Sequence, residues 1–247
     1  MLAPRSFHRE ADIARYDFWR VVGHGIILND DPFFSTREDR MLIPFAELSE
    51  SEAYLAFSQI IVPRPIAWVL TDNGAGSSPE QRWNLAPYSY FNAITSAPPM
   101  VMFSIGDGMA GKVKDTHRNL RAKAHCVIHI ASASQAQVLQ DTAAELPAGV
   151  SEVHTTGLAL VDWDWPVPRI ADAPCALGCV ATQFTRVGNT DQMVVFAQIE
   201  RLWLRDDVAS RDDKGRLVVD VASYDPLARV GRGGYTRLGP VFRPTIR

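Results

Sequence analysis

The 247-residue chain is poor in cysteine, nearly balanced in charge and without a long apolar run. Its three cysteines, Cys126, Cys175 and Cys179, are an odd number thinly spread. They exclude a dense disulfide framework and suggest a reducing compartment. A formal net charge of −3 excludes bulk attraction to nucleic acid or to an anionic membrane, so any bound phosphate must be held locally. No apolar stretch approaches the roughly 20 residues of a membrane span. The opening MLAPRSFHREADIARY has no apolar segment of signal-peptide type. The expectation is a cytoplasmic protein with neither a nucleic-acid nor a membrane partner. Repeats and low-complexity linkers are missing too. No G-x-G-x-x-G turn joins a strand to a helix, which removes the main support for a doubly wound nucleotide-binding sheet.

What is present is ordinary in amount: 47% hydrophobic and 21% charged residues, enough for a sizeable core. Residues 1–40 are charged and mixed in pattern, and read as an extension packed on the main domain, with a helix over residues 11–20. The main domain spans 41–240, and 241–247 form a tail. A second helix is expected over 49–57, where Ser49 and Glu52 make a capping box. Val62-Pro63-Arg64-Pro65 must be extended, because each proline lacks a donor and biases its predecessor away from helix. Strands follow over 66–71, 88–92, 100–105 and 125–131, the first ending at the turn Asp72-Asn73-Gly74. Residues 176–187 and 193–205 pair as a long hairpin around Gly188-Asn189. Helices interrupt at 115–123 and from Ser134 to about Glu145. Many strands, turns between them and few helices predict a mainly β protein, an antiparallel barrel.

Four segments hold residues suited to a small-molecule site. In Asn84-Leu85-Ala86-Pro87-Tyr88-Ser89-Tyr90-Phe91-Asn92, alternation puts Ala86, Tyr88 and Tyr90 on one face and Leu85, Ser89 and Phe91 on the other. Pro87 cannot donate to a ladder, so the stretch belongs at an edge or bulge. Its free backbone groups suit the polar edge of a planar ring; the plainer reading is an edge strand that happens to hold a proline. In Lys112 to Asn119, Asp115 or Thr116 can cap the following helix, and its N-terminus beside Lys114 suits one phosphate; the plainer reading is a capped surface helix. Arg64 stands between two prolines that pre-place its guanidinium, or is simply a surface arginine in a stiff loop. Asp225-Pro226-Leu227-Ala228-Arg229, then Gly231, Gly233-Gly234 and Tyr235, lets backbone approach a ligand with Tyr235 stacked on it, or forms a flexible loop.

In order along the chain, PRPIAW, NLAPYSYFN, APP before a strand, KDT with Asn119, and DPLAR-x-G…Y resemble the flavin reductase-like FMN-binding family. That family includes flavoredoxin and the reductase components of two-component monooxygenases. The resemblance runs from about Met41 to Leu238. It implies a split β-barrel, a homodimer, and FMN near the subunit interface with NADH or NADPH as electron donor. Carried onto this chain, it sets the isoalloxazine against Arg64, with Asn84, Ala86, Pro87, Tyr88 and Ser89 supplying the ring strand. Ser104, Lys114, Asp115 and Thr116 gather around the ribityl chain and phosphate, with Asn119 nearby, and Tyr235 closes the ring side, from this subunit or its partner. No side chain is required as a catalytic acid or base if nicotinamide and flavin stack.

The implied activity is NAD(P)H:flavin reductase, supplying reduced flavin to a monooxygenase. A flavoredoxin-like carrier fed by a redox protein uses the same residues, and a barrel that has lost its ligand would need none of them. Two features depart from the family pattern: the extension before Met41, and the longer loop 77–83. His125, Cys126 and His129 do not suggest a metal site, since on a strand Cys126 points away from the two histidines. Cys175 and Cys179 read as packing residues, His154 as a loop residue, and Trp163 and Trp165 as core or dimer anchors.

Overall fold

The computed structural model describes residues 42–106 and 112–245. The expected helix over 11–20 and the rest of the extension lie outside them. Residues 42–48 belong to a separate unit and carry a 3-10 turn, Phe45–Glu47. The unit beginning at Ser49 holds everything that follows.

Helix α1, Glu50–Ile60, begins as the sequence requires: the Ser49 hydroxyl accepts from the Glu52 N–H at 3.3 Å, and the Glu52 carboxylate accepts from the Ser49 N–H at 2.9 Å. The strands and helices then run β1 (Arg64–Pro65), β2 (Ala67–Asp72), β3 (Trp83–Tyr88), β4 (Phe91–Ser96), β5 (Pro99–Ile105), α2 (Asp115–Lys123), β6 (His125–Ile130), α3 (Ala136–Asp141) and α4 (Glu152–Thr156). They continue as β7 (Leu160–Val161), β8 (Arg169–Ile170), β9 (Cys175–Arg186), β10 (Met193–Leu204), β11 (Ala209–Arg211), β12 (Leu217–Val219), α5 (Val221–Tyr224), β13 (Ala228–Arg229) and β14 (Tyr235–Thr236).

Seven strands form one antiparallel sheet in the order β3-β2-β6-β9-β10-β5-β4. Its outer strands, β3 and β4, are consecutive in the chain and joined only through Ser89 and Tyr90. The sheet therefore curls to bring its outer strands to one corner without pairing them, and from that corner the Tyr90 carbonyl accepts from the Ser104 N–H of β5 at 2.9 Å. The result is a split β-barrel. The strand expected over 88–92 is in fact the end of β3, a two-residue bend and the start of β4. Local alternation cannot register a corner that closure of the sheet imposes.

Period-two alternation sorts the barrel wall into two cores. Ala67 and Val69 of β2 point inward with Phe103, Ile105, Cys126, Ile128, Cys179, Val195 and Ala197. Trp68 and Leu70 point outward, with Leu85, Val127 and Ala176, and are covered by Leu139, Val153, Val167 and Ile170. All six residues of β2 are buried, as a wall covered on both sides demands. Each large aliphatic side chain so buried stabilises the fold by about 1.5–3 kcal/mol.

The long hairpin forms as expected from β9 and β10, with Gly188 in the turn at φ 68°. Trp163 and Trp165 pack on the outer core; Trp163 donates to the Val167 carbonyl at 2.8 Å and Trp165 to that of Cys126 at 3.1 Å. Gly178 is glycine because of Trp165: a Cβ there would lie 2.9 Å from the indole. The helix expected from Ser134 to Glu145 is shorter, a 3-10 turn at Ala133–Gln135 followed by α3. His154 lies within α4 rather than in a loop. A small sheet, β1-β13-β14, aligns Arg64 with Arg229 and Arg229 with Tyr235.

Candidate functional site

The NLAPY segment is β3, an edge strand as its proline demands. The Leu85 N–H is not spent on β2; it is accepted by the Glu152 carboxylate at 2.9 Å. N–H and C=O of one residue point to the same side of an antiparallel strand, and the side alternates. Residue 87 therefore also faces the open edge, so the missing N–H of Pro87 costs no ladder bond and its carbonyl is left on the rim. Ala86, Pro87 and Ser89 are half-buried there.

The first turn of α2 lies against this strand. Its N-cap is Lys114, in extended conformation, and among the described residues no side chain caps the helix. The sequence suggested Asp115 or Thr116 as cap, but both already sit in the helix, where a side chain cannot reach back to the N2 or N3 amide. Asp115 instead accepts from the Arg118 guanidinium at 2.6 Å and from the Gly149 N–H at 2.7 Å. Among the described residues no side chain accepts from the first-turn amides of α2, beside the half-buried Lys114.

Behind that turn lies a buried polar network. The Asn84 amide donates to the hydroxyls of Thr116 at 2.8 Å and Thr71 at 3.2 Å. The Asn119 amide donates to the Thr71 hydroxyl at 3.1 Å and to the Asn73 carbonyl oxygen at 2.8 Å. Tyr88 meets the Thr116 hydroxyl, and burial holds its phenol well above the usual range, with Glu152 and Asp115 adding to the effect. Asn84, Thr116 and Asn119 are thus spent on fastening α2 to β2 and β3. Asp72 closes the far side of the network. Burial would raise its carboxyl, but hydrogen bonds from Lys123, the Gly74 N–H and Arg82 leave it below the usual range. Loop 77–83 is anchored here as well: the Asn73 N–H donates to the Arg82 carbonyl at 2.8 Å, and the Ser151 N–H to the Gln81 side chain at 2.7 Å.

Arg64 and Ser104 gather around Tyr90, at the barrel corner. Arg64 is 7% exposed, and its Nη1 donates to the carbonyls of Ser58 and Ile61. Its guanidinium lies 5.9 Å from the Tyr90 ring centre. The Arg64 Nε and the Tyr90 hydroxyl are both buried without a hydrogen-bond partner. Among the described residues neither donor has an acceptor, the Arg169 Nε being a third such group, and each orphan costs about 1–3 kcal/mol. The Ser104 hydroxyl accepts from Gln192 at 2.5 Å. Tyr235 stands apart from this pair, two strands away on the small sheet. It donates to Gln140 at 2.8 Å and lies 4.6 Å beneath Arg229.

The expected site residues thus fall into three groups: the β3–α2 network, the Arg64–Tyr90–Ser104 corner, and the Tyr235 cluster. Sequence reasoning missed Glu152. A glutamate in the first turn of a short helix looks like a solvated partner of the helix dipole, and only the fold turns it inward. It is 8% exposed; burial pushes its carboxyl up to about 7 against the Leu85 hydrogen bond, and Asp115 adds to the rise. Gln140 and Gln192 were missed too and carry no local signal.

His129 and the three cysteines are packing elements. Nδ1 of His129 lies 3.2 Å from the Trp68 carbonyl and its Nε2 accepts from the Ile170 N–H at 2.9 Å, so the ring is neutral with both nitrogens used. Cys126 and Cys179 face each other across β6 and β9. All three thiols are free and buried.

Residues 58–228 match the model of the flavin reductase like domain. The chain is similar, at 36% identity over 197 residues, to an uncharacterised protein of Deinococcus radiodurans, covering 79% of this chain and 85% of that one. Among solved structures it is similar to nitrilotriacetate monooxygenase component B from Bacillus cereus, at 28% identity and a TM-score of 0.74, over 83% of this chain and 98% of that one. It is also similar to 2-nitrobenzoate 2-nitroreductase NbaA of Pseudomonas fluorescens, at 26% identity and a TM-score of 0.72, over 84% and 96% of the two chains.

Proposed function

This chain belongs to the flavin reductase-like domain family, and from that premise we propose that it is an FMN-binding NAD(P)H:flavin oxidoreductase. The observation that carries the reading is the meeting of a free strand edge with an uncapped helix N-terminus. The β3 rim at Pro87 offers backbone groups to a planar heterocycle, and α2 offers first-turn amides and Lys114 to a single phosphate. The spare donors of Arg64 and Tyr90 fit the carbonyl-bearing edge of a flavin ring.

In this reading Arg64 and the backbone from Ala86 to Ser89 orient the ring, and Ser104 meets the ribityl chain. Lys114 and the amides at Asp115 and Thr116 hold the phosphate. Asn84, Tyr88, Thr116 and Asn119 act from behind, keeping helix and strand in register. Tyr235 closes the ring side. A bound flavin would supply the hydride-accepting ring, with NADH or NADPH as donor. The protein's part is position and polarity, with no side chain needed to move a proton.

Two partners belong to the same proposal. A second copy of the chain fits the sheet edge at β4, where residues 92–96 of the strand and 97–99 after it are all exposed, Ile94 at 47%. A monooxygenase that takes reduced flavin is supported by the likeness to a monooxygenase component B. The free, buried thiols support a cytoplasmic setting. The likeness to a nitroreductase favours a second reading of the ring's open face, in which a nitroaromatic substrate is reduced in place of released flavin.

The test is a visible spectrum of the purified protein with and without added FMN, followed by NADH and NADPH oxidation with free FMN or with 2-nitrobenzoate. Failure to bind FMN removes the central claim. Turnover with FMN supports the reductase, and turnover only with 2-nitrobenzoate supports the second reading.

A further inference from the structure

The segment before and into α4 bridges the two halves of the proposed site. The Gly149 N–H binds Asp115, in the first turn of α2. The Ser151 hydroxyl donates to the Trp83 carbonyl at 2.5 Å, at the start of β3. Glu152 then takes the Leu85 N–H, two residues before Pro87 on the same open edge. Of these tethers only Glu152 is an ionisable group inside the protein. No lysine, arginine or histidine among the described residues pairs with it.

We propose that Glu152 is a positioning residue of the flavin site: it fixes the β3 edge against the first turn of α2 and makes FMN binding take up protons. The inference rests on the reading that α2 holds the flavin phosphate. The groups facing the Glu152 carboxyl are the Tyr88 phenol from β3 and the Asp115 carboxylate from α2. On its own helix, His154 is exposed and acts on Glu80. Protonated, Glu152 still accepts from Leu85 and adds no charge. Ionised, it places a second negative charge beside Asp115, close to where a phosphate dianion would sit. Burial has already brought its titration to about pH 7, so the two forms exchange near neutrality. A phosphate at α2 therefore favours the protonated form, and affinity for FMN must fall as pH rises through that range.

The test is the dissociation constant of FMN and of riboflavin, by quenching of flavin fluorescence, from pH 5.5 to 8.5. It is run on the wild type, Glu152→Gln and Glu152→Ala. The second ionisation of the phosphate, near pH 6, is common to all three proteins and cancels in their comparison. Glutamine keeps an acceptor for Leu85 without a charge, so Glu152→Gln should bind FMN at pH 8 roughly fivefold more tightly than wild type. The two should converge at pH 5.5, and riboflavin should show a much smaller gap. Glu152→Ala loses the tether and should bind both flavins about tenfold more weakly at every pH. Superimposed pH profiles for wild type and Glu152→Gln would overturn the proposal while leaving the flavin site intact. Absence of FMN binding in all three would overturn the site reading and the proposal with it.

Discussion

Replacing Thr116 by valine removes one hydroxyl at the hinge of the whole site and leaves the shape nearly unchanged. Thr116 is 1% exposed, and its oxygen accepts from Asn84 at 2.8 Å and meets the Tyr88 phenol. In the variant, Asn84 keeps its longer bond to Thr71, at 3.2 Å. The net loss of one buried hydrogen bond costs about 0.5–1.5 kcal/mol, and a buried phenol left without its partner adds about 1–3 kcal/mol. A sum of about 1.5–4.5 kcal/mol is expected in flavin-free protein, which for a domain of this size lowers the melting temperature by roughly 3–18 °C. Urea unfolding followed by far-ultraviolet circular dichroism measures it, and Thr116→Ser should recover most of the loss. If Thr116→Val is within about 0.5 kcal/mol of wild type, the network is not what fastens α2 to β3. If FMN affinity alone falls, Thr116 serves the phosphate directly instead.

Lys114→Ala should weaken FMN binding by about 1–3 kcal/mol and leave riboflavin binding unchanged, read by fluorescence titration; unchanged FMN affinity would place the phosphate elsewhere. Gly178→Ala sets a Cβ 2.9 Å from the Trp165 indole and 3.0 Å from the Arg201 Cβ. Trp165 cannot retreat without stretching its bond to the Cys126 carbonyl, so a loss of about 2–4 kcal/mol is expected in urea unfolding. Stability should also respond to pH through two buried groups of opposite sign. Burial holds His129 down at about 3, with Arg169 adding to the effect against the Trp68 hydrogen bond. Its contribution is complete above the unfolded value of 6.5 and is lost as pH falls toward 3, by up to about 1.4 kcal/mol per unit. Glu152, raised from 4.5 to about 7, contributes below 4.5 and loses that contribution as pH rises through 7. The slopes oppose each other between pH 4.5 and 6.5, so Glu152→Gln should unmask stability that rises with pH there; a flat variant curve would count against the His129 assignment, and a variant curve parallel to wild type against that of Glu152.

Much of the outline is written locally. The Ser49–Glu52 box starts α1 because a cap needs only residues three apart. Pro87 announces an edge strand because one missing donor is enough to exclude a central one. Residues 176–205 read as a hairpin because alternation on both arms meets a glycine turn. The corner at Ser89 and Tyr90 was not legible, since it exists only because the seventh strand of the sheet returns to the first. Nor was the uncapped start of α2: Asp115 looks like a cap until the backbone is seen to enter the helix one residue earlier, at Lys114.

By itself, then, the sequence determined the class of fold, the long hairpin and the segments to which the proposed site is assigned. Each of those depends on spacings of two to four residues, where pleat, helical turn and capping geometry act. Tertiary structure alone decided what those segments do to one another. It turned Thr116 and Asn119 inward as fasteners, left Arg64 Nε and the Tyr90 hydroxyl without a partner among the described residues, and set Glu152 on an amide 67 positions earlier in the chain. Burial and partnership of polar groups are properties of closure, and closure brings together residues whose separation in sequence carries no local signal.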